Sequence, residues 1–163
     1  MSASDKERSL VNAPHTRSAG MWGTPDLPAG RFPGGGVVAH VVYTHHAATV
    51  TALHWVARLG ISLGVRPVVL MFYAVPGALP LDWKSVPRDF LENRIRTLKK
   101  ATPAEFSVRI YLCRHSRQIL RQVLRPDSLV VVGGKHRWWP TDEQQLANIL
   151  RKDGHQVFLV DSP

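Results

Sequence analysis

Five short apolar runs, separated by segments of helical periodicity, set the narrowest limit on what this chain can fold into. The runs are VVAHVVYT (37–44), PVVLMFYAV (67–75), FSVRIYLC (106–113), SLVVVGG (128–134) and QVFLVD (156–161). Between them, 48–64 carries Val50, Leu53, Ala57, Leu59 and Ile61 near helical spacing and stops at Gly64. The next, 86–101, is built on Phe90, Leu91, Ile95 and Leu98 and ends before Pro103. A short helix over 116–124 turns Ile119, Leu120, Val123 and Leu124 inward, and a last helix spans 141–154. Apolar strands linked by helices predict an α/β fold, a parallel sheet covered on both faces. Ligands of such sheets sit beyond the strand C-termini, where the strand order reverses. Here that means the loops after Tyr43 and Val132.

A chain of 163 residues with 44% apolar content suits one domain with a real core. Residues 1–36, rich in Ser, Pro and Gly, are expected to be a flexible tail, because they bury too little apolar surface to offset the entropy of ordering. The alternative is that Met21, Trp22 and Phe32 dock on the domain, which spans 37–163. A single cysteine, Cys113, leaves no internal disulfide and favours a reducing, cytoplasmic compartment. No apolar secretory segment opens the chain. The longest apolar stretch, 67–81, is interrupted by Pro76, Gly77 and Pro80 and falls short of the roughly 20 residues of a transmembrane helix.

The segment VVYTHHAATVTALHWVARLG resembles the opening of universal stress protein domains, where the first strand ends in Asp-Gly-Ser and the helix reads Ala-Leu-x-Trp-Ala. PDSLVVVGGKHR is similar to their fourth strand. The resemblance implies a Rossmann-like sheet of five parallel strands in the order 3-2-1-4-5, a frequent dimeric state, and ATP binding in some members.

The chain departs from that family where nucleotide would bind. Thr44 stands at the position of the aspartate and cannot replace its charge. The phosphate motif (Gly, two residues, Gly, nine residues, Gly-Ser/Thr), started at Gly133, falls next on His136, Leu146 and Ala147, so only Gly133 matches. Thr141 and Gln144 predict a capping box that occupies the amides of the last helix, and Asp142 and Glu143 add negative charge there. ATP binding in the family's manner is therefore not expected, and no cofactor is assigned. The alternative is an ATP or AMP site rebuilt from Gly133 and Gly134 with the donors Lys135, His136 and Arg137, and Trp138 or Trp139 stacked on a base. The preferred reading takes this same loop, with Thr44, His45 and His46, as a partner-contact surface, since adjacent tryptophans in a loop mark binding anchors.

No nucleophile–base pair or paired carboxylate is visible, and no metal-ligand cluster surrounds His45 and His46. Cys113 reads as a small core residue with His115 only a sequence neighbour. The net charge is +9, and residues 84–125 hold 11 basic against 3 acidic residues. Arg114, Arg117, Arg121 and Arg125 follow one helical face, the pattern of a phosphate-contact stripe. Right-handed crossovers would split this excess between opposite faces, and no nucleic-acid motif accompanies it, so weak affinity for an acidic protein partner or an anionic membrane surface is expected before nucleic acid. The final strand, apolar and at the sheet edge, predicts a homodimer through Val157 and Leu159, unless the N-terminal tail covers that edge.

Overall fold

The computed structural model describes the backbone of residues 15–18 and residues 36–81, 87–135 and 140–162. The elements are β1 (His15–Ser18), β2 (Val38–Val42), α1 (His46–Leu63), β3 (Arg66–Ala74), α2 (Arg88–Ala101), β4 (Ser107–Cys113), α3 (Ser116–Val123), β5 (Leu129–Gly134), α4 (Asp142–Lys152) and β6 (Gln156–Asp161). The sheet order is β1-β4-β3-β2-β5-β6. Strands β2 to β6 are mutually parallel, and β2 pairs with β3 on one side and β5 on the other. The five expected strands thus form in the expected order, with the reversal at β2.

The added strand was not foreseen. His15–Ser18 pairs antiparallel with β4, His15 opposite Leu112 and Ser18 opposite Arg109. A segment assigned to a flexible tail therefore carries a sheet edge. It lies on the edge away from β6, so it does not shield the final strand. Met21, Trp22 and Phe32 lie outside the described residues.

The pleat divides each strand between two cores. Ala39, Val41, Val69, Met71, Val108, Ile110 and Val131 pack with Leu53 and Val56 of α1 and with Leu91, Ile95 and Leu98 of α2. On the opposite face Val42, Leu70, Tyr111, Val130 and Val132 meet Ile119 and Leu120 of α3 and Leu150 of α4. Each fully buried leucine removes enough apolar surface from water to contribute about 2 kcal/mol. Helix α1 buries most of the face its spacing suggests, Leu53 fully and Val50 and Leu59 in part, but not the end of it. Ala48, Thr49, Ala52, Leu53 and Val56 are buried, whereas Ile61 is 89% exposed, because the N-terminal half of the helix crosses the sheet and the last turn runs past it. Phe90 is likewise half exposed. No described helix is long and apolar enough to cross a membrane.

A polar side chain, His40, lies on the second-core face of the sheet. His40, on the central strand, is buried and its Nδ1 has no hydrogen-bond partner. Burial first, then the Arg109 charge and the neighbouring His155, hold its pKa down at about 4 against the usual 6.5. The unfolded chain therefore takes up a proton that the folded chain refuses. Stability is complete above pH 6.5 and falls by about 3 kcal/mol as the pH drops to 4. Thermal melts at pH 7 and 4.5 should show this loss, and His40→Leu should remove most of it. Parallel pH profiles for the two proteins would exclude His40 as the cause.

Candidate functional site

The two loops at the strand reversal meet, but in a way that closes rather than opens a phosphate site. The Thr44 hydroxyl donates to the Gly133 carbonyl at 3.2 Å. A Cβ on Gly133 would overlap the Ala48 carbonyl group, so the first turn of α1 sits directly on the end of β5. The glycine serves helix–strand contact. A Cβ on Gly134 would meet the Glu143 Cβ at 2.7 Å, which places a carboxylate-bearing side chain over the second glycine.

The N-termini of α1 and α4, which flank the strand reversal, carry their own caps. The expected capping box of α4 is present: the Gln144 amide donates to the Thr141 hydroxyl at 3.3 Å, and the Thr141 amide donates to the Gln144 side chain at 3.0 Å. Asp142 and Glu143 occupy its first turn. In α1 the Nδ1 of His45 accepts the Ala48 amide at 3.3 Å, and the Thr49 hydroxyl donates to the His45 carbonyl at 2.8 Å. His45 is thus a helix cap, a role the sequence does not announce, because the residues that mark caps are Ser, Thr, Asp and Asn.

What remains open lies on the α1–α2 side of β2. A cleft of about 380 Å³ is walled by the β2–α1 loop, Tyr43 through His46, and by Asn93, Arg94 and Thr97 of α2. The α2 residues were missed because they stand some fifty positions downstream and look, in isolation, like an ordinary solvated helix face. The Arg94 guanidinium lies 4.1 Å from the centroid of the Phe90 ring and 5.4 Å from that of Tyr43. Such stacking orients a guanidinium and leaves its in-plane donors available. Of the other loop residues expected to form the site, Lys135 is exposed. His136, Arg137, Trp138 and Trp139 lie outside the described residues.

The arginine stripe is broken by internal contacts. Arg114 donates to the Val75 carbonyl at 2.8 Å and to the carbonyls of Pro76 and Leu79, pinning the turn after β3. Arg121 forms a two-point ion pair with Asp153, at 2.7 and 3.1 Å. With α2 and α3 on opposite faces of the sheet, the basic excess is also divided, as the crossover argument required. Cys113 is buried, its thiol directed at the Tyr73 carbonyl at 3.7 Å, and burial raises its pKa, which disfavours the thiolate. Among the described residues no group of three or more His, Cys, Asp or Glu side chains could hold a metal ion.

Comparison of the chain with protein-family models, with curated proteins and with solved structures gives no match.

The closeness at Gly133 yields a direct test. Gly133→Ala should lower stability by about 3 kcal/mol, since a methyl group must displace backbone of α1. Gly77→Ala, where a Cβ meets nothing within 4 Å, should stay within about 0.5 kcal/mol of the parent. Equal melting temperatures for the two variants would contradict the packing described.

Proposed function

We propose that this chain is a non-catalytic binding domain of universal-stress-like architecture, acting in the cytoplasm through the C-terminal end of its sheet and not as an ATP-binding member of that family. The observation that carries this reading is the closure at Gly133 and Gly134. The backbone that would cradle phosphate is pressed against Ala48 and Glu143, and the adjoining helix amides are capped from within. The loop from Gly133 to Trp139, basic and rich in tryptophan, is the partner surface in this reading. An acidic protein patch is the occupant its charge favours. The lone cysteine supports the reducing compartment.

Thermal melts with nucleotide separate this from the alternative, an ATP or AMP site rebuilt on the same loop. A ligand present at 100 times its dissociation constant adds about 2.7 kcal/mol of stability. No such rise is expected with micromolar ATP, ADP or AMP. A saturable rise that disappears in Lys135→Ala would establish the rebuilt nucleotide site instead.

The same reading includes a homodimer through β6. The amides of Gln156 and Ser162 donate to the carbonyls of Ser128 and Gly134 on β5. With a two-residue period, the backbone of Val157, Leu159 and Asp161 then turns outward. Beside this edge Phe158, 44% exposed, packs its ring on Trp55 at 5.0 Å. Antiparallel pairing about a two-fold axis at Leu159 would match each outward residue with one of the partner's. The edge is not wholly undefended, contrary to the sequence reading, because Arg151 donates to the Val157 carbonyl at 3.1 Å. Val157→Pro deletes only an outward amide, so it should convert dimer to monomer in light scattering while leaving the circular dichroism unchanged. A parent protein that is monomeric at tens of micromolar would dispose of the dimer.

A further inference from the structure

Arg94 sits on the exposed side of α2 without a carboxylate or carbonyl partner among the described residues. Its guanidinium lies over the Phe90 and Tyr43 rings, at 4.1 and 5.4 Å from their centroids. It borders the cleft of about 380 Å³ whose other polar walls are Asn93, Thr97, Thr44 and the imidazoles of His45 and His46. Among the described residues no carboxylate lines this cleft, and the first turn of α1 has no acidic residue. A guanidinium stacked on aromatic rings, with no carboxylate or carbonyl partner among the described residues, is suited to receive a planar or tetrahedral oxyanion. The volume exceeds what a bare ion fills and lies within the range of small-molecule pockets, roughly 300 to 1,000 Å³.

We propose that this cleft binds a small organic anion, a carboxylate or a phosphate ester, with Arg94 gripping the charged head. The Asn93 side-chain amide supplies a neutral hydrogen bond, Thr97, whose hydroxyl already donates to the Asn93 carbonyl, lines the wall, and His46 closes the far side. The site depends on side chains and not on the helix end, since the Ala48 amide is already taken by His45. It lies on the α1–α2 side of β2, so it stands or falls separately from the loop after β5 and from the dimer.

The test is titration of the isotopically labelled full chain, followed by amide chemical shifts, with benzoate, phenyl phosphate and the uncharged benzyl alcohol. Benzoate or phenyl phosphate should saturate with a dissociation constant on the order of 1 mM, the range expected of ligands this small. The shifts should centre on residues 44–47 and 93–97, and benzyl alcohol should not compete. The stronger of the two charged probes identifies the head group the cleft prefers. Arg94→Gln should weaken binding by about tenfold or more. Arg94→Lys, which keeps charge but loses the fork, should fall between the two. Thr97→Glu, an exposed change that leaves the helix intact, should abolish binding by placing a carboxylate in the wall. Unaltered affinity in Arg94→Gln, equal binding of benzyl alcohol, shifts confined to the residues around Lys135, or no saturation by either anion would each overturn the proposal.

Discussion

The first turn of α1 and the end of β5 touch backbone to backbone, and the rest of the functional end is arranged around that contact. Only a residue without a Cβ can stand at position 133 against the Ala48 carbonyl. The Thr44 hydroxyl then bridges to the Gly133 carbonyl, and His45 turns back to cap the helix that makes the contact. With α1 seated this low, space at the strand reversal shifts from the crevice beside β5 to the opposite side of β2, where α2 supplies the second wall. A glycine pair that reads as a ligand cradle is in fact a packing device. The displaced opening has different chemistry, an aromatic-stacked arginine in place of a ring of backbone amides.

The elements were legible because their signals are local. β-branched runs, a helix-ending glycine and the Thr141–Gln144 cap each act within a few residues, and all three appear in the structure. What escaped the sequence depends on partners far along the chain. Arg114 is read as a surface cation until the carbonyls of Val75, Pro76 and Leu79 are brought to it. Arg94 gains meaning only when the fold sets Tyr43 beside it. The buried face of α1 was misjudged at its end, since periodicity gives the stripe but not where along the helix the sheet stops. The strand at His15–Ser18 has neither length nor an apolar run to announce it, and its stability derives from the open edge of β4.

The positive charge is similarly redistributed by folding. A count over 84–125 suggests one basic surface, but the fold sends α2 and α3 to opposite faces and engages two of the four stripe arginines in holding loops and helix ends. The remaining cations are dispersed, which suits weak, salt-sensitive attraction more than a continuous track for a phosphate backbone. His40 shows the converse economy: a polar group placed on the second-core face of the sheet without a hydrogen-bond partner at Nδ1, where any apolar residue of similar size would serve packing as well.

The position of β1 has an effect on assembly that reaches beyond the chain itself. A sheet with two uncovered outer strands can add copies at both ends, and edge-on addition then has no natural stopping point, the geometry from which fibres grow. Here one outer strand, β4, is covered from within the same chain, and by a segment running antiparallel to it. The described sheet therefore ends in β1 on one side and β6 on the other. The edge beside β4 is thereby reduced to a strand of four residues, too short to template much pairing, so the longer edge at β6 is where a second copy finds the better match.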